Sequence, residues 1–125
     1  DCRFNFRYNT EWTRDSLSRH VETILDELDI DYELRWHLAG EPFITEPGKL
    51  TDVVLAAIRE VSGVTGELST IGGTSDGRFI APHGIDVVEI GPINATIHKV
   101  NEVVRIDDIY ALEEIYLRIL QKLLT

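Results

Sequence analysis

Cys2-Arg3-Phe4-Asn5-Phe6-Arg7-Tyr8-Asn9 alternates apolar and polar side chains without a break. A period of two places Cys2, Phe4, Phe6 and Tyr8 on one face and Arg3, Asn5, Arg7 and Asn9 on the other. That is the pattern of a half-buried β-strand. Thr10 or Thr13 is placed to cap a following helix, in which Leu17, Val21, Ile24, Leu25 and Leu28 recur at helical spacing. From Ile30 to Leu38 the alternation returns, with Tyr32, Leu34, Trp36 and Leu38 on one face. The unit therefore reads as strand–helix–strand, and it needs partners to complete a sheet. The fold class expected is α/β.

Two prolines and two glycines between Gly40 and Gly48 mark a boundary, dividing the chain into residues 1–45 and 46–125. Beyond it, Leu50, Val53, Val54, Ala57, Ile58 and Val61 form an apolar helix stripe that Gly63 can terminate. A short strand is expected near Leu68–Ile71, and one or two helical turns over Ser75–Ala81. Ile85–Ile90 is a nearly continuous apolar run, as expected of a strand buried on both faces. Asp107 or Asp108 is placed to cap a last helix with the stripe Ile109, Leu112, Ile115, Tyr116, Ile119, Leu120 and Leu123.

Composition excludes several classes. Twenty-two acidic side chains against twelve basic ones give a formal charge of −10, with no cluster of Lys and Arg for a phosphate backbone, so nucleic acid is not expected as a partner. No apolar run is long enough to span a bilayer, and no secretory signal is present. The single cysteine, Cys2, cannot form an internal disulfide, which fits a cytoplasmic setting, and reads as a buried strand residue. The chain contains no methionine and opens in mid-strand, so it reads as a piece of a longer protein.

Two polar stretches sit where apolar runs give way to loops, the usual place for chemistry on an α/β scaffold. Gly72-Gly73-Thr74-Ser75-Asp76-Gly77-Arg78 offers backbone N–H groups and small hydroxyls, and lacks the spacing of a nucleotide-binding P-loop. Gly91-Pro92-Ile93-Asn94-Ala95-Thr96-Ile97-His98-Lys99-Val100-Asn101-Glu102 delivers one histidine from a turn that also carries amides. Together they describe a polar, anion-friendly pocket with one potential metal ligand, His98. His20, His37 and His83 lack such context and read as solvated, and Asp76, Glu89 and Glu102 read as local hydrogen-bonding or solvated groups.

With their spacing, the two stretches closely resemble the C-terminal signature of the bacterial N-succinyl-diaminopimelate desuccinylases, in the di-zinc aminoacylase and carboxypeptidase-like amidohydrolase superfamily. The resemblance implies that residues 1–45 belong to a lid and dimerisation domain, and that residues 46–125 close a zinc-bearing catalytic domain. It implies that His98 is a zinc ligand, in a full-length enzyme that carries two Zn²⁺ per active site and forms a homodimer. It implies that Arg7 meets a substrate carboxylate, that Asn94 is a substrate-contacting amide, and that Gly73, Thr74 and the Gly40 backbone contact substrate. Arg78 either binds substrate or pins its turn. Ala39 stands where the family often has serine, which removes one hydroxyl contact. The activity implied is zinc-dependent hydrolysis of N-succinyl-LL-diaminopimelate to succinate and LL-diaminopimelate, in lysine and cell-wall precursor biosynthesis.

The other metal ligands and the general base of the family match nothing in this sequence, so the isolated chain is expected to be inactive and to bind zinc weakly. Two alternatives stand beside this one: a fragment of a sibling deacylase, such as an acetylornithine deacetylase or aminoacylase, and a non-catalytic dimerisation or folding fragment.

Overall fold

A computed structural model of the 125-residue chain describes residues 1–73 and 75–125. In chain order, its elements are α1 (Arg14–Glu27), α2 (Lys49–Ser62), the short α3 (Gly77–Ile80), a 3₁₀ turn (Ala81–His83) and α4 (Ile106–Leu124). Among the described residues there is no β-strand, so the expected α/β strand–helix–strand arrangement is overturned.

The physical reason lies in the difference between a face and a ladder. Alternation fixes which side chains share a face, and that is a property of one segment. A strand also needs backbone hydrogen bonds to a second segment. Outside the helices, the described backbone-to-backbone bonds are turns and caps, none joining residues more than five apart along the chain. Of the expected half-buried faces, Cys2, Phe4, Phe6, Tyr32 and Leu38 are exposed, and aromatic contacts are what the segments make. Phe4 and Phe6 meet edge to face with ring centroids 5.5 Å apart. The Phe6 ring lies 6.2 Å from that of Trp36. Residues 2–9 and 30–38 thus meet through Phe6 and Trp36 without exchanging backbone bonds. The expected strands at Leu68–Ile71 and Ile85–Ile90 are likewise irregular. Cys2, expected to be buried, is exposed.

The helices follow local signals. Thr13 caps α1: its hydroxyl accepts from the Ser16 N–H at 3.1 Å, while the Thr13 N–H donates to the Ser16 hydroxyl at 2.9 Å. At the start of α2 the cap residue is Gly48, which has no side chain to offer. Thr51 reaches back instead, accepting from the Gly48 N–H and donating to the Gly48 carbonyl, both at 2.8 Å. α2 stops at Gly63, whose φ of 71° is a left-handed conformation that glycine adopts without a Cβ penalty. At α4 the expected cap is corrected: Arg105 holds the cap position with no side-chain cap bond, and Asp107 and Asp108 lie in the first turn. There the two carboxylates complement the helix dipole, and the Arg105 guanidinium lies 3.3 Å from Asp107.

The chain divides into two compact units. The first is Asp1–Ile44 with Thr74–Ile85, and the second is Thr45–Gly73 with Asp86–Thr125. The second holds the buried core, where α2 packs on α4 through Val54, Ala57, Ile115 and Ile119. Ala57 is fully buried, so this contact has no room for a larger side chain. Val88 and Ile90 pack against the same core. The run 85–90 is therefore held by side chains: Tyr116 donates its hydroxyl to the Ile90 carbonyl at 3.0 Å. The Thr45 hydroxyl donates to the Val87 carbonyl at 2.7 Å and accepts from the Val87 N–H at 3.0 Å.

In the first unit, α1 buries none of its residues fully. Leu17, Val21 and Leu25 are half-buried, while Ile24 and Leu28 are exposed. Trp36 donates its indole N–H to Glu22 at 3.1 Å, and Tyr32 donates to Asp26 at 2.9 Å, fastening residues 30–38 to α1. Among the described residues no helix is long and apolar enough to cross a membrane.

Candidate functional site

The residues singled out in the sequence fall in both units, and each group is described within its own. In the first unit, Arg7 is exposed and makes no ion pair among the described residues. Its neighbour Tyr8, on the opposite face, is half-buried and donates its hydroxyl to Glu41 at 3.1 Å. Partial burial, and then the hydrogen bond to the Glu41 carboxylate, push the Tyr8 hydroxyl above the ordinary phenol value. This contact ties residues 2–9 to the turn that contains Gly40.

Gly40 and Arg78 are brought together. A Cβ built on Gly40 would lie 2.5 Å from the Arg78 Cδ and 3.2 Å from its Nε, so the arginine stem crosses the space a side chain would take. The Arg78 guanidinium carbon sits 4.6 Å from the centroid of the Phe79 ring, a cation–π contact. Its Nε is buried and has no hydrogen-bond partner among the described residues. The turn beneath it is set by Ser75, whose hydroxyl accepts from the buried Gly77 N–H at 3.0 Å. That is an ST-type turn leading into α3, whose cap position, Asp76, makes no side-chain cap bond. Thr74 lies outside the described residues.

In the second unit, Gly73 is exposed, and a Cβ there would meet nothing within 4 Å among the described residues. Asn94 is exposed, and its carbonyl accepts from the Ile97 N–H at 3.1 Å. A second turn follows, in which the Lys99 N–H donates to the Thr96 carbonyl at 3.0 Å. Lys99 also sends its ammonium to the Ala95 carbonyl at 2.7 Å.

His98 sits at the crown of these turns, exposed, with φ at 59°, and Asn101 follows at 62°. Asn tolerates the left-handed region; a histidine there costs about 1–2 kcal/mol that the surrounding loop must offset. Sequence reasoning chose His98 but gave no sign of its backbone state. It also missed the closure of this loop by Thr96, whose hydroxyl donates to the Val103 carbonyl at 2.8 Å and accepts from the Val103 N–H at 3.0 Å.

An exposed imidazole with no side-chain hydrogen bond among those described suits Zn²⁺ as one nitrogen donor. A catalytic zinc needs about three protein donors. Among the described residues no three His, Cys, Asp or Glu side chains gather into a group that could hold a metal ion. The described residues therefore do not make up a metal site by themselves.

The profile of Peptidase family M20/M25/M40 matches residues 6–122. The chain belongs to this family. A succinyl-diaminopimelate desuccinylase of Nitrosococcus oceani is 56% identical over 122 residues, covering 98% of this chain and 32% of that protein. The protein of the same name from Thioalkalivibrio sulfidiphilus is 55% identical over 124 residues, covering 99% of this chain and 33% of its own length. That of Marinobacter nauticus is 58% identical over 121 residues, covering 97% and 32%. This M20/M25/M40 chain thus spans about a third of the length of the curated relatives it matches.

Proposed function

We propose that this chain is the C-terminal third of a zinc-dependent amide hydrolase that converts N-succinyl-LL-diaminopimelate to succinate and LL-diaminopimelate. The observation that carries this reading is identity of 55–58% to proteins named succinyl-diaminopimelate desuccinylase over nearly the whole chain. Residues 1–45 are assigned to a lid and dimerisation domain, and residues 46–125 to the closing part of the catalytic domain. In the parent, zinc supplies a Lewis acid for amide hydrolysis.

This chain's residues bind and orient. Arg7 offers a planar fork to a substrate carboxylate. The Gly73 backbone and the Asn94 amide offer neutral donors to other substrate oxygens. His98 offers one imidazole to the metal. Arg78 holds the Gly40 turn by lying across it.

The test is succinate release from N-succinyl-LL-diaminopimelate by the full-length parent, set beside the 125-residue chain alone. The parent is expected to turn over and the isolated chain to be inactive even with added Zn²⁺, because one donor of the needed three is present. Zinc-dependent turnover by the purified chain would show that it carries further ligands of its own. A parent that releases no succinate removes the assignment.

A homodimer through the first domain is part of the same proposal. Phe4, Phe6 and Ile30 are 54%, 44% and 49% exposed, more apolar surface than this unit covers by itself. Sedimentation of the parent is expected to give a dimer; a stable, active monomer would dispose of it.

A further inference from the structure

We infer that Thr96 is a positioning residue for His98, locking the loop that presents the imidazole. The inference rests on the proposed role of His98, and the lock itself on geometry alone. One hydroxyl makes both bonds to one residue: Thr96 Oγ1 donates to the Val103 carbonyl at 2.8 Å and accepts from the Val103 N–H at 3.0 Å. The same oxygen thus satisfies the donor and the acceptor of a single residue, as a paired strand would.

Inside the closed segment lie two left-handed residues that are not glycine, His98 and Asn101. The Lys99 N–H donates to the Thr96 carbonyl at 3.0 Å, so Thr96 anchors the segment through its backbone and its side chain together. A left-handed histidine persists only where its surroundings over-determine it. These bonds are what over-determines it here. The unit uses the same device at Thr45, which clamps Val87 in the same two-point fashion.

Val103 is 66% exposed and Thr96 lies outside the buried core. Thr96→Val removes the hydroxyl while keeping a side chain of nearly the same shape, so the lock is lost and the variant is expected to fold. Thr96→Ser keeps the hydroxyl and drops only a methyl.

The experiment uses the full-length parent as unmodified protein, Thr96→Val, Thr96→Ser and His98→Ala. Hydrogen exchange over peptides spanning residues 94–105 reads the lock directly and needs no substrate. Thr96→Val is expected to speed exchange at Val103 about tenfold. It should also lower kcat about tenfold with KM within about twofold, and Thr96→Ser should restore both readouts. Unchanged exchange in Thr96→Val overturns the lock. Faster exchange with unchanged kcat in a parent that His98→Ala inactivates overturns the positioning role. A rise in KM alone, or failure of serine to restore, overturns it too. Should His98→Ala stay fully active, the role assigned to His98 fails, and the exchange result still decides whether the lock exists.

Discussion

His98→Ala in the full-length parent is expected to lose bound metal and kcat together while the fold survives. Removing one of about three zinc donors should cost several kcal/mol of transition-state stabilisation, or on the order of 10³-fold in rate. The structure makes this substitution a clean one. His98 is exposed, so no core contact goes with it. Its φ is 59°, and alanine carries the same Cβ into the same left-handed conformation, so the backbone cost is unchanged. His98→Gly supplies the complement, because it relieves the backbone while also removing the imidazole. Equal loss in both variants assigns the effect to the ligand. Metal content measured beside kcat checks the expectation: a variant that keeps its metal and near-normal turnover makes His98 a loop residue only.

Helices were legible in the sequence because their determinants are local. The Leu50–Val61 stripe, the left-handed Gly63 and the Thr13 cap all act within four residues, and the structure has each of them. The stripe on α4 is also present, with Ile115 and Ile119 buried against α2. Its cap was misread because an acidic first turn favours the dipole as well as a side-chain cap would, and composition does not separate the two. The sheet failed for the opposite reason. At 2–9 and 30–38 Phe6 meets Trp36, but no backbone partner came with the alternation and most of its apolar side chains stayed exposed. Ile85–Ile90 shows the same gap. Its side chains found the core and Thr45 took up the backbone of Val87, leaving no ladder to form.

The site was legible in its residue types and blind in its geometry. His98 and Asn94 stand out through the stretch they share, and that stretch folds as consecutive turns. The Gly40–Arg78 approach could not be read, since 38 residues separate the two and nothing in either segment names the other. Thr96 stood in the same stretch, yet a threonine seven residues before Val103 carries no signal that its hydroxyl will close a loop.

Substrate choice in the parent should turn on local charge, and here the expected effect is about ten- to a hundredfold. N-succinyl-LL-diaminopimelate presents a carboxylate that an N-acetyl analogue lacks. The formal charge of −10 on this chain adds no favourable field toward an anionic substrate, so what the chain contributes to recognition comes from individual donors. Arg7 suits that role, being exposed and engaged by no carboxylate among the described residues. Its guanidinium can meet a carboxylate with two parallel N–H donors, a geometry a lysine ammonium does not reproduce. A lost charge-assisted contact costs roughly 1.5–3 kcal/mol, which is about ten- to a hundredfold in kcat/KM. Arg7→Lys should therefore depress kcat/KM for the succinyl substrate, and His98-dependent metal content should be untouched. The unmutated parent should prefer N-succinyl- over N-acetyl-diaminopimelate or acetylornithine by a similar factor. If the acetyl compounds turn over as well or better, Arg7 is not reading a succinyl carboxylate and the parent is a sibling deacylase.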